Sequence, residues 1–471
     1  MREIINWLLN DTLGLGAPGW LVALVGYVAV ATILFLVAPF QMLFFTMYER
    51  RAIARMQDRI GPNRVGPEGA FQPIADGVKM FTKEDIVPTE ADRWVHLLAP
   101  CVVVAPTMLM FAVLPWGPGM VPADLSIGLL FFLAVSSVSA VGILMAGWGS
   151  NNKFALLGAM RGVAQMVSYE IPAVLSLLAV VLFITSWPLQ STIYAIGGFL
   201  GPQQGGFPVF GYGGSVVQAV YAQSGLPFIG MLADIDAGLG WFVFTPVGLL
   251  GFVCFFIAAL AEGERTPFDI PEADSEIVAG YMTEYSGMKF GLFYLAQYVL
   301  NFLLCALTAT LFFGGWQGPG VAWLVAQGVT PANPQGNGLF NLLAGVLGTF
   351  YFLAKTYAFF YVMIWLRGAY PRLRVDQLMG FGWKFLIPLT LVNIMSAALW
   401  VACLRWGAPQ GVAILDSIDA AAGSWGRWGV AFVLTALINA GAYYGLVRVN
   451  QAPSDPQALQ EDQTFGAVTL P

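Results

Sequence analysis

Seven carboxylates lie in one short segment between two strongly apolar runs of the chain. Arg265 is the only basic residue from Glu262 to Tyr285, and the acidic residues are Glu262, Glu264, Asp269, Glu272, Asp274, Glu276 and Glu284. The whole chain has only 27 acidic residues. Carboxylates that lie close together titrate as a group, and ionisable groups of membrane proteins are usually functional. The segment is therefore a candidate site for proton transfer or for charge-dependent switching.

The composition is that of an integral membrane protein. Of the 471 residues, 58% are hydrophobic and 10% are charged, whereas soluble domains have about 25% charged residues. The mean hydropathy is +0.72. Because a bilayer core offers no water to backbone groups, its apolar runs must form helices. The sequence predicts an all-α polytopic membrane protein with about nine transmembrane helices plus a cytoplasmic-side amphipathic helix.

Apolar runs long enough to cross a bilayer occur along most of the chain. The predicted spans are residues 20–46, 94–115, 126–148, 163–186, 240–261, 289–313, 342–366, 384–405 and 428–447. With their loops they form a single transmembrane domain over residues 1–450. The polar tail at 451–471 is expected to be disordered, because it has too little apolar surface to bury.

The distribution of lysine and arginine predicts the orientation in the membrane. Most of the 21 basic residues lie on one side, chiefly in four loops at residues 47–93, 149–162, 262–288 and 367–383. These loops are predicted to be cytoplasmic, with the N-terminus periplasmic and the C-terminus cytoplasmic. The nearly uncharged stretch 187–239 is then a long periplasmic insertion. The acidic segment lies on the cytoplasmic side, where the chemistry is expected.

The first charged loop contains the sequence FQPIADGVKMF, which has the pattern of a short amphipathic helix. Asp76 and Lys79 lie away from its apolar residues, which recur at helical spacing and are Phe71, Ile74, Val78 and Phe81. Such a helix lies in the membrane interface with its apolar face toward lipid. The pattern fits an ordinary surface helix as well as a functional one.

Two ionisable residues are predicted within spans, where a charge is costly. Glu170 lies about two turns into the fourth span and suits a proton relay, although a carboxylate near the headgroups is the alternative. Lys355 lies 12 residues before Arg367, or about 18 Å along a helix. We expect Lys355 to meet a buried carboxylate or a water chain, with Glu170 and Glu262 as candidate partners. A buried ion pair that only fixes helix packing is the alternative.

The sequence has few residues suited to hold a cofactor. There is one histidine, and no CxxC pair occurs among the cysteines, which are Cys101, Cys254, Cys305 and Cys403. Residues 14–19 match GxGxxG by letters alone, without the strand-and-helix context that a dinucleotide-binding fingerprint requires, and no Walker-type phosphate loop is present. A disulfide framework, a metal site and an iron–sulfur cluster are therefore not expected. We predict that the chain carries no redox cofactor of its own.

Four segments resemble one family closely, in order and over roughly residues 20–400. They are ERRAIARMQDRIGPNRVGPEGAFQPIADGVKMFTKED, GWGSNNKFALLGAMRGVAQMVSYEIP, AEGERTPFDIPEADSEIVAGYMTEYSGMKFGLFYLAQY and RGAYPRLRVDQLMGFGWKFLIPL. The family is that of the H subunits of the proton-pumping NADH–quinone oxidoreductase, complex I. Its mitochondrial counterpart is NADH dehydrogenase subunit 1. Four long motifs are far more specific than any single short pattern.

The resemblance implies a non-cofactor-bearing subunit of a translocase. This subunit would form the membrane part of the quinone chamber and couple quinone reduction to proton translocation, with ubiquinone or menaquinone as substrate. FMN and iron–sulfur clusters would belong to partner chains. Expected partners are peripheral-arm iron–sulfur and quinone-site subunits, small membrane subunits, antiporter-like subunits and the lipid bilayer, with no nucleic acid. The implied location is the bacterial inner membrane.

The resemblance also implies two groups of site residues, none of which makes or breaks covalent bonds of the quinone. The quinone chamber would contain Glu49, Arg50, Arg59, Asp76, Lys79, Arg265, Asp269, Glu272, Asp274 and Glu276. The proton path would contain Glu170, Glu262, Gln297 and Lys355.

The chain departs from the family pattern at Gln297, where the family usually has Glu. A neutral amide forms hydrogen bonds but does not ionise, so that link of the path is missing or another group replaces it. The loop 187–239 and the segment after residue 405 are longer than usual, and the ninth span occurs in only some relatives.

Two other functions stay open from the sequence. One is a homologous membrane subunit of a hydrogenase or formate hydrogenlyase complex, in which no quinone need bind. The other is a stand-alone ion or solute transporter, for which paired inverted repeats would be expected and are not seen in the sequence.

Overall fold

The fold is a bundle of long helices. The computed structural model describes residues 19–184 without 119, 124 and 126, and residues 241–271, 279–321, 324–325, 338–405 and 413–451. Besides short 3-10 turns, the helices in these ranges are α1 (Gly19–Met56), α2 (Gln72–Thr82), α3 (Arg93–Met110), α4 (Gly128–Gly149), α5 (Lys153–Ile184), α6 (Pro246–Glu262), α7 (Gly287–Phe312), α8 (Gly338–Ala369), α9 (Val375–Phe381), α10 (Ile387–Arg405) and α11 (Ala413–Gln451).

The polytopic all-α fold predicted from composition is confirmed. Within the described ranges, 8 helical segments are long and apolar enough to cross a membrane, and α6 is a shorter apolar helix. Together they follow the order of the nine predicted spans. Several helices extend beyond their apolar part: α1 continues to Met56, and α5 already begins at Lys153. α9 and α10 are joined by a π-helical turn, Gly382–Leu386. The insertion 187–239 and the tail 452–471 lie outside the described residues.

α7 is the central helix of the bundle. Every residue from Val299 to Phe312 is buried, and α7 packs against α1, α3, α6 and α8. A helix that is apolar on all sides is the kind that a large core encloses. In contrast, α1 exposes many large apolar side chains, including Tyr27, Phe35 and Phe40. These exposed rows are expected to face lipid, since no water-soluble protein leaves so much apolar surface uncovered.

One end of the bundle collects the charged residues, and we call it the charged end. It consists of the C-terminal ends of α1, α4, α6 and α8, the N-terminal ends of α3, α5 and α7, and the loops between them. Direct contacts hold these ends together: the Asp92 backbone N–H donates to Gly149 O at 3.1 Å, and Asn152 Nδ2 donates to Glu284 Oε1 at 2.6 Å.

A close approach of two glycines seats the loop 279–285 on α5. A Cβ on Gly158 would lie 2.7 Å from the Cα of Gly280, which is closer than real Cβ contacts allow. Gly280 itself has φ of 57°, in the left-handed region that glycine adopts without strain. Side chains at these two positions would therefore push the loop away from α5.

The amphipathic helix predicted in the first loop is confirmed as α2. Its apolar row is exposed and consists of Phe71, Ile74, Val78 and Phe81. An ion pair of 2.5 Å between Asp76 and Arg50 holds α2 beside the end of α1. Lys289 at the start of α7 pairs with Asp85 at 2.9 Å, just after α2. α2 therefore lies across the charged end with its apolar face outward.

Candidate functional site

A cluster of one carboxylate and two guanidinium groups lies at the charged end, and Arg367 is its partly exposed member. Arg265 Nη1 donates to Glu49 Oε1 at 2.9 Å and to Glu49 Oε2 at 3.1 Å. Arg367 Nη1 also donates to Glu49 Oε1. Glu49 is 2% exposed and Arg265 is 6% exposed. Because one negative charge faces two positive ones, this triad carries a net positive charge in a place of limited hydration.

The triad lies beside a cavity of about 440 Å³, which we call the ionic cavity. Its walls come from α1, α7, α8 and the segment after α6, and the lining residues are Glu49, Arg50, Ile53, Gln57, Thr266, Tyr298, Arg367 and Gly368. The Arg265 guanidinium lies over the Tyr298 ring, with Cζ 4.4 Å from the ring centre. The volume is within the range of about 300–1,000 Å³ typical of small-molecule sites. The ionic cavity is therefore large enough for the head of an organic ligand.

Gln165 of α5 fixes the segment that carries Arg265. Its buried side-chain Nε2 donates to Ala261 O and to Phe268 O, both at 2.7 Å. These two carbonyls flank Arg265 on either side, so a single amide clamps the turn. Asp269 closes the segment on its other side through an ion pair of 3.1 Å with Arg372.

A pair of carboxylates lies between α5 and α6. Glu262 ends α6 and is buried, and Glu170 of α5 is half-buried. The two carboxylates are close enough to repel each other, and Ser136 of α4 lies near Glu262. Glu262 lies only three positions before Arg265 in the chain, so this pair and the ionic cavity share one short segment.

Lys355 binds backbone carbonyls rather than the buried carboxylate or water chain expected for it. Its Nζ donates to the oxygens of Phe313, Gly315 and Gln317 at 2.7, 2.9 and 2.6 Å. It also lies 4.9 Å from the centre of the Trp241 ring. In the part of the chain that the structure describes, Lys355 forms no ion pair within 4.0 Å.

The expectation that Glu170 or Glu262 pairs with Lys355 is therefore wrong. The physical reason is position along the bundle, because Lys355 lies beside the end of α7 that is far from the charged end. Phe252 of α6 touches Phe359, one turn beyond Lys355. Glu262 lies ten residues further along α6, which is about 15 Å at 1.5 Å per residue.

The remaining residues implied by the resemblance occupy different positions. Arg50 lines the ionic cavity and pairs with Asp76. Arg59 is exposed and its Nε donates to Gln57 Oε1 at 2.8 Å, while Lys79 is exposed on α2. Three of the predicted chamber residues lie outside the described residues, namely Glu272, Asp274 and Glu276.

Gln297 of α7 lines a second, much smaller cavity of about 20 Å³. The polar side chains around this water-sized cavity are Thr107, Ser139, Glu262, Glu264, Tyr281 and Gln297. A volume of about 10–15 Å³ is enough for one water molecule. Gln297 and Glu262 therefore border one water-sized space that has both polar and apolar walls.

Three residues of the site were not singled out from the sequence. Arg367 resembles an ordinary basic residue at a span end, Tyr298 resembles an interfacial aromatic residue, and Gln165 is one amide in an apolar helix. A buried amide within a span is the only one of these patterns that could have indicated a polar partner, because an unpaired amide in lipid is costly. Among the described residues, no group of three or more His, Cys, Asp or Glu residues could hold a metal ion.

The fold and the site together define a polytopic helical membrane protein with a buried ionic site at one end of its bundle. Residues 28–398 match the family model described as NADH dehydrogenase. The chain is 44% identical over 379 residues to the NADH-quinone oxidoreductase H subunit of Dehalococcoides mccartyi, covering 80% of this chain and 85% of that protein. It is 41% identical over 395 residues to the corresponding H subunit of Chlorobaculum tepidum, covering 83% and 96%. It is 42% identical over 371 residues to the first of the numbered H subunits of Geobacter metallireducens, covering 77% and 92%.

The chain belongs to the family of NADH-quinone oxidoreductase H subunits, which are membrane subunits of complex I. The family resemblance of the four motifs is thereby confirmed. The same relatives favour this function over a hydrogenase-type subunit and over a stand-alone transporter.

Proposed function

We propose that this chain forms the membrane part of the quinone chamber of a proton-translocating NADH–quinone oxidoreductase and couples quinone reduction to proton movement. The Glu49–Arg265–Arg367 triad beside the ionic cavity is the observation that carries the proposal. Quinone carbonyl oxygens accept hydrogen bonds, and guanidinium groups supply several donors in a fixed geometry. The triad's net positive charge favours the negative charge that develops on the quinone as it is reduced.

Access to the ionic cavity is proposed to run along α2 and α1. Arg50 lines the ionic cavity and also binds Asp76 of α2. The apolar row of α2 and the exposed apolar side chains of α1 face away from the protein. A long apolar quinone tail is stabilised by such a surface at bilayer depth, while its polar head reaches the arginines.

Coupling is proposed to act through the segment 261–269. Arg265 binds Glu49, which lines the ionic cavity, and Glu262, three positions earlier in the same segment, is close enough to Glu170 for the two carboxylates to repel each other. Charge that develops near the arginines is felt at these carboxylates because the surroundings have a low dielectric constant. The proposed proton path continues from Glu170 and Glu262 toward Gln297 and, at the other end of the bundle, Lys355.

The partners and the orientation follow from the same proposal. Peripheral-arm subunits, which hold FMN and the iron–sulfur clusters, would dock on the charged end. Small membrane subunits and antiporter-like subunits would pack along the lipid-facing helices. The charged end is cytoplasmic and the N-terminus periplasmic by the positive-inside rule, in a bacterial inner membrane. The substrate is a quinone, ubiquinone or menaquinone.

The test uses the assembled complex in membranes with Arg265→Gln. We expect NADH–quinone activity to fall at least tenfold, since the triad loses its most buried cation, while NADH–ferricyanide activity stays within twofold. Arg93→Gln serves as a matched control, because Arg93 is an exposed arginine at the start of α3 and should leave both activities unchanged. Full quinone activity in Arg265→Gln would overturn the assignment of the ionic cavity. Purification of the wild-type chain without iron–sulfur subunits would overturn the proposed function as a whole.

A further inference from the structure

We propose that Glu264 supplies the ionisable carboxylate that Gln297 lacks, and that it exchanges protons with Glu262 across the water-sized cavity. This inference rests on the proposed function and adds to it a residue that the family pattern does not single out. Three observations carry it: the position of Glu264 on the cavity wall, its burial, and the contacts that fix its side chain.

Glu264, Glu262 and Gln297 border the same water-sized cavity. All three line the cavity of about 20 Å³, together with Thr107 and Ser139. The space is sufficient for about one water molecule, and the polar side chains around it supply the two to four partners that a buried water needs. The Gln297 amide on α7 and the Glu264 carboxylate on the loop after α6 thus border the same space.

The burial of Glu264 is as complete as that of Glu262. Glu264 is 4% exposed and Glu262 is 7% exposed. A buried carboxylate charge is costly. The group therefore needs specific hydrogen-bond or charged partners, or it takes up a proton and becomes neutral. Glu264 is therefore no solvated surface charge, even though it follows the end of a helix.

Contacts on both sides fix the position of Glu264. The Tyr281 hydroxyl donates to Glu264 Oε2 at 3.2 Å, and the Glu264 backbone N–H donates to Ala261 O at 3.3 Å. Glu264 has φ of 50°, in the left-handed region that side-chain-bearing residues seldom adopt. This backbone conformation turns residue 264 out of the helical path that ends at Glu262.

Asn301 of α7 holds the same turn against the helix that carries Gln297. Its side-chain Nδ2 donates to Gly263 O at 3.1 Å and to Gln297 O at 2.8 Å. One amide thus binds both Gly263, the residue before Glu264, and Gln297, which occupies the position where the family usually has Glu. Glu264 and Gln297 therefore lie near each other in the fold, although they are 33 positions apart in the sequence.

In the proposed transfer, one water molecule in the water-sized cavity relays a proton from Glu264 to Glu262. The O–H bond of the Glu264 carboxyl breaks as the water oxygen takes that proton. An O–H bond of the water breaks in turn as a Glu262 carboxylate oxygen takes a second proton. The water is regenerated, Glu264 becomes a carboxylate, and Glu262 becomes a neutral acid that can pass its proton toward Glu170.

A carboxylate exchange between the two positions tests the inference in membranes that contain the assembled complex. Three variants are compared: Glu264→Gln, Gln297→Glu, and both together. We expect Glu264→Gln alone to lower NADH–quinone activity and proton pumping at least tenfold. The double variant should regain at least half of the activity and pumping of Gln297→Glu alone. NADH–ferricyanide activity should be unchanged throughout.

Full activity in Glu264→Gln would overturn the inference, and so would a double variant no better than Glu264→Gln. Glu264→Asp provides a second measurement if the amide variant fails to assemble. It should keep coupled activity with a displaced pH profile, whereas an undisplaced profile would count against an ionising role. These failures differ from a failure of the proposed function, which would appear as a wild-type chain without quinone activity or iron–sulfur partners.

Discussion

Arg265 and Glu49 form a two-point ion pair across 216 positions of sequence, with both side chains almost completely buried. The pair joins the end of α1 to the loop after α6, and Arg367 adds a third helix to the same carboxylate. A buried ion pair is often no more stabilising than apolar residues of the same shape, but removal of one partner is costly. The triad is thus better explained by the charge it presents to the ionic cavity than by stability alone.

Glu49→Gln should damage both the charge balance and the local fold. The buried Arg265 guanidinium and the partly exposed Arg367 guanidinium would lose their carboxylate, and loss of one partner of a buried ion pair typically costs about 3–5 kcal/mol. We expect NADH–quinone activity below a tenth of the wild-type value and a lower temperature for loss of the subunit from the complex. Glu68→Gln is the matched control, because Glu68 is largely exposed and lies 3.8 Å from Arg51. Equal effects of the two variants would contradict a special role for Glu49.

Gln165→Met should loosen the turn that presents Arg265. The variant removes two hydrogen bonds, which contribute about 0.5–1.5 kcal/mol each, while Ala261 O and Phe268 O keep the backbone N–H groups of Glu264 and Ile270 as donors. Because Gln165 does not line the ionic cavity, the expected effect is a severalfold higher KM for quinone with a smaller change in kcat. Steady-state titration with quinone measures this difference. Gln377→Met, at an exposed position of α9, should leave KM unchanged.

Lys355→Met should destabilise the end of α7. The three carbonyl oxygens of Phe313, Gly315 and Gln317 would lose their common donor, and hydrogen bonds to charged groups contribute about 1.5–3 kcal/mol each. We expect a clear decrease in the temperature at which the subunit unfolds in detergent, measured by thermal shift. Lys384→Met is the control, since Lys384 is exposed. Unchanged thermal stability together with lost proton pumping would instead favour a direct role of Lys355 in the proton path.

Arg50→Ala should affect quinone access more than stability. Its ion pair with Asp76 is partly exposed, and such pairs contribute only about 0–1 kcal/mol and weaken with salt. We expect the subunit to assemble normally, with a higher KM for long-tailed quinones than for short-tailed ones. Lys79→Ala, on the exposed side of the same helix, should have the smaller effect. Identical KM changes for both tail lengths would argue against α2 as the entrance.

The sequence was sufficient to predict the features that depend on residues close together along the chain. The spans follow from apolar length, and α2 follows from the spacing of Phe71, Ile74, Val78 and Phe81, because both patterns are local. The family resemblance implied Glu49 and Arg265 as site residues, and the structure shows that their side chains form an ion pair. Pairing across 216 positions has no local pattern.

The partners of Lys355 could not be found from the sequence for a different reason. They are backbone carbonyls, which every residue has, and only the turn after α7 brings three of them to one point. A search for opposite charges therefore led to Glu170 and Glu262. Arg367 was likewise hidden, since a basic residue at the end of a span is ordinary and its buried contact depends on the approach of α8 to α1.

The enclosure of α7 also bears on biogenesis. From Val299 to Phe312 the helix has no side left for lipid, and it carries Asn301, Thr308 and Thr310 in that stretch. If α7 enters the bilayer before the neighbouring helices pack against it, the Asn301 side-chain amide contacts lipid acyl chains. Folding intermediates in which α8 has not yet packed against α7 should then be substrates of a membrane protease. The protein should resist degradation only once α7 is enclosed by its neighbours.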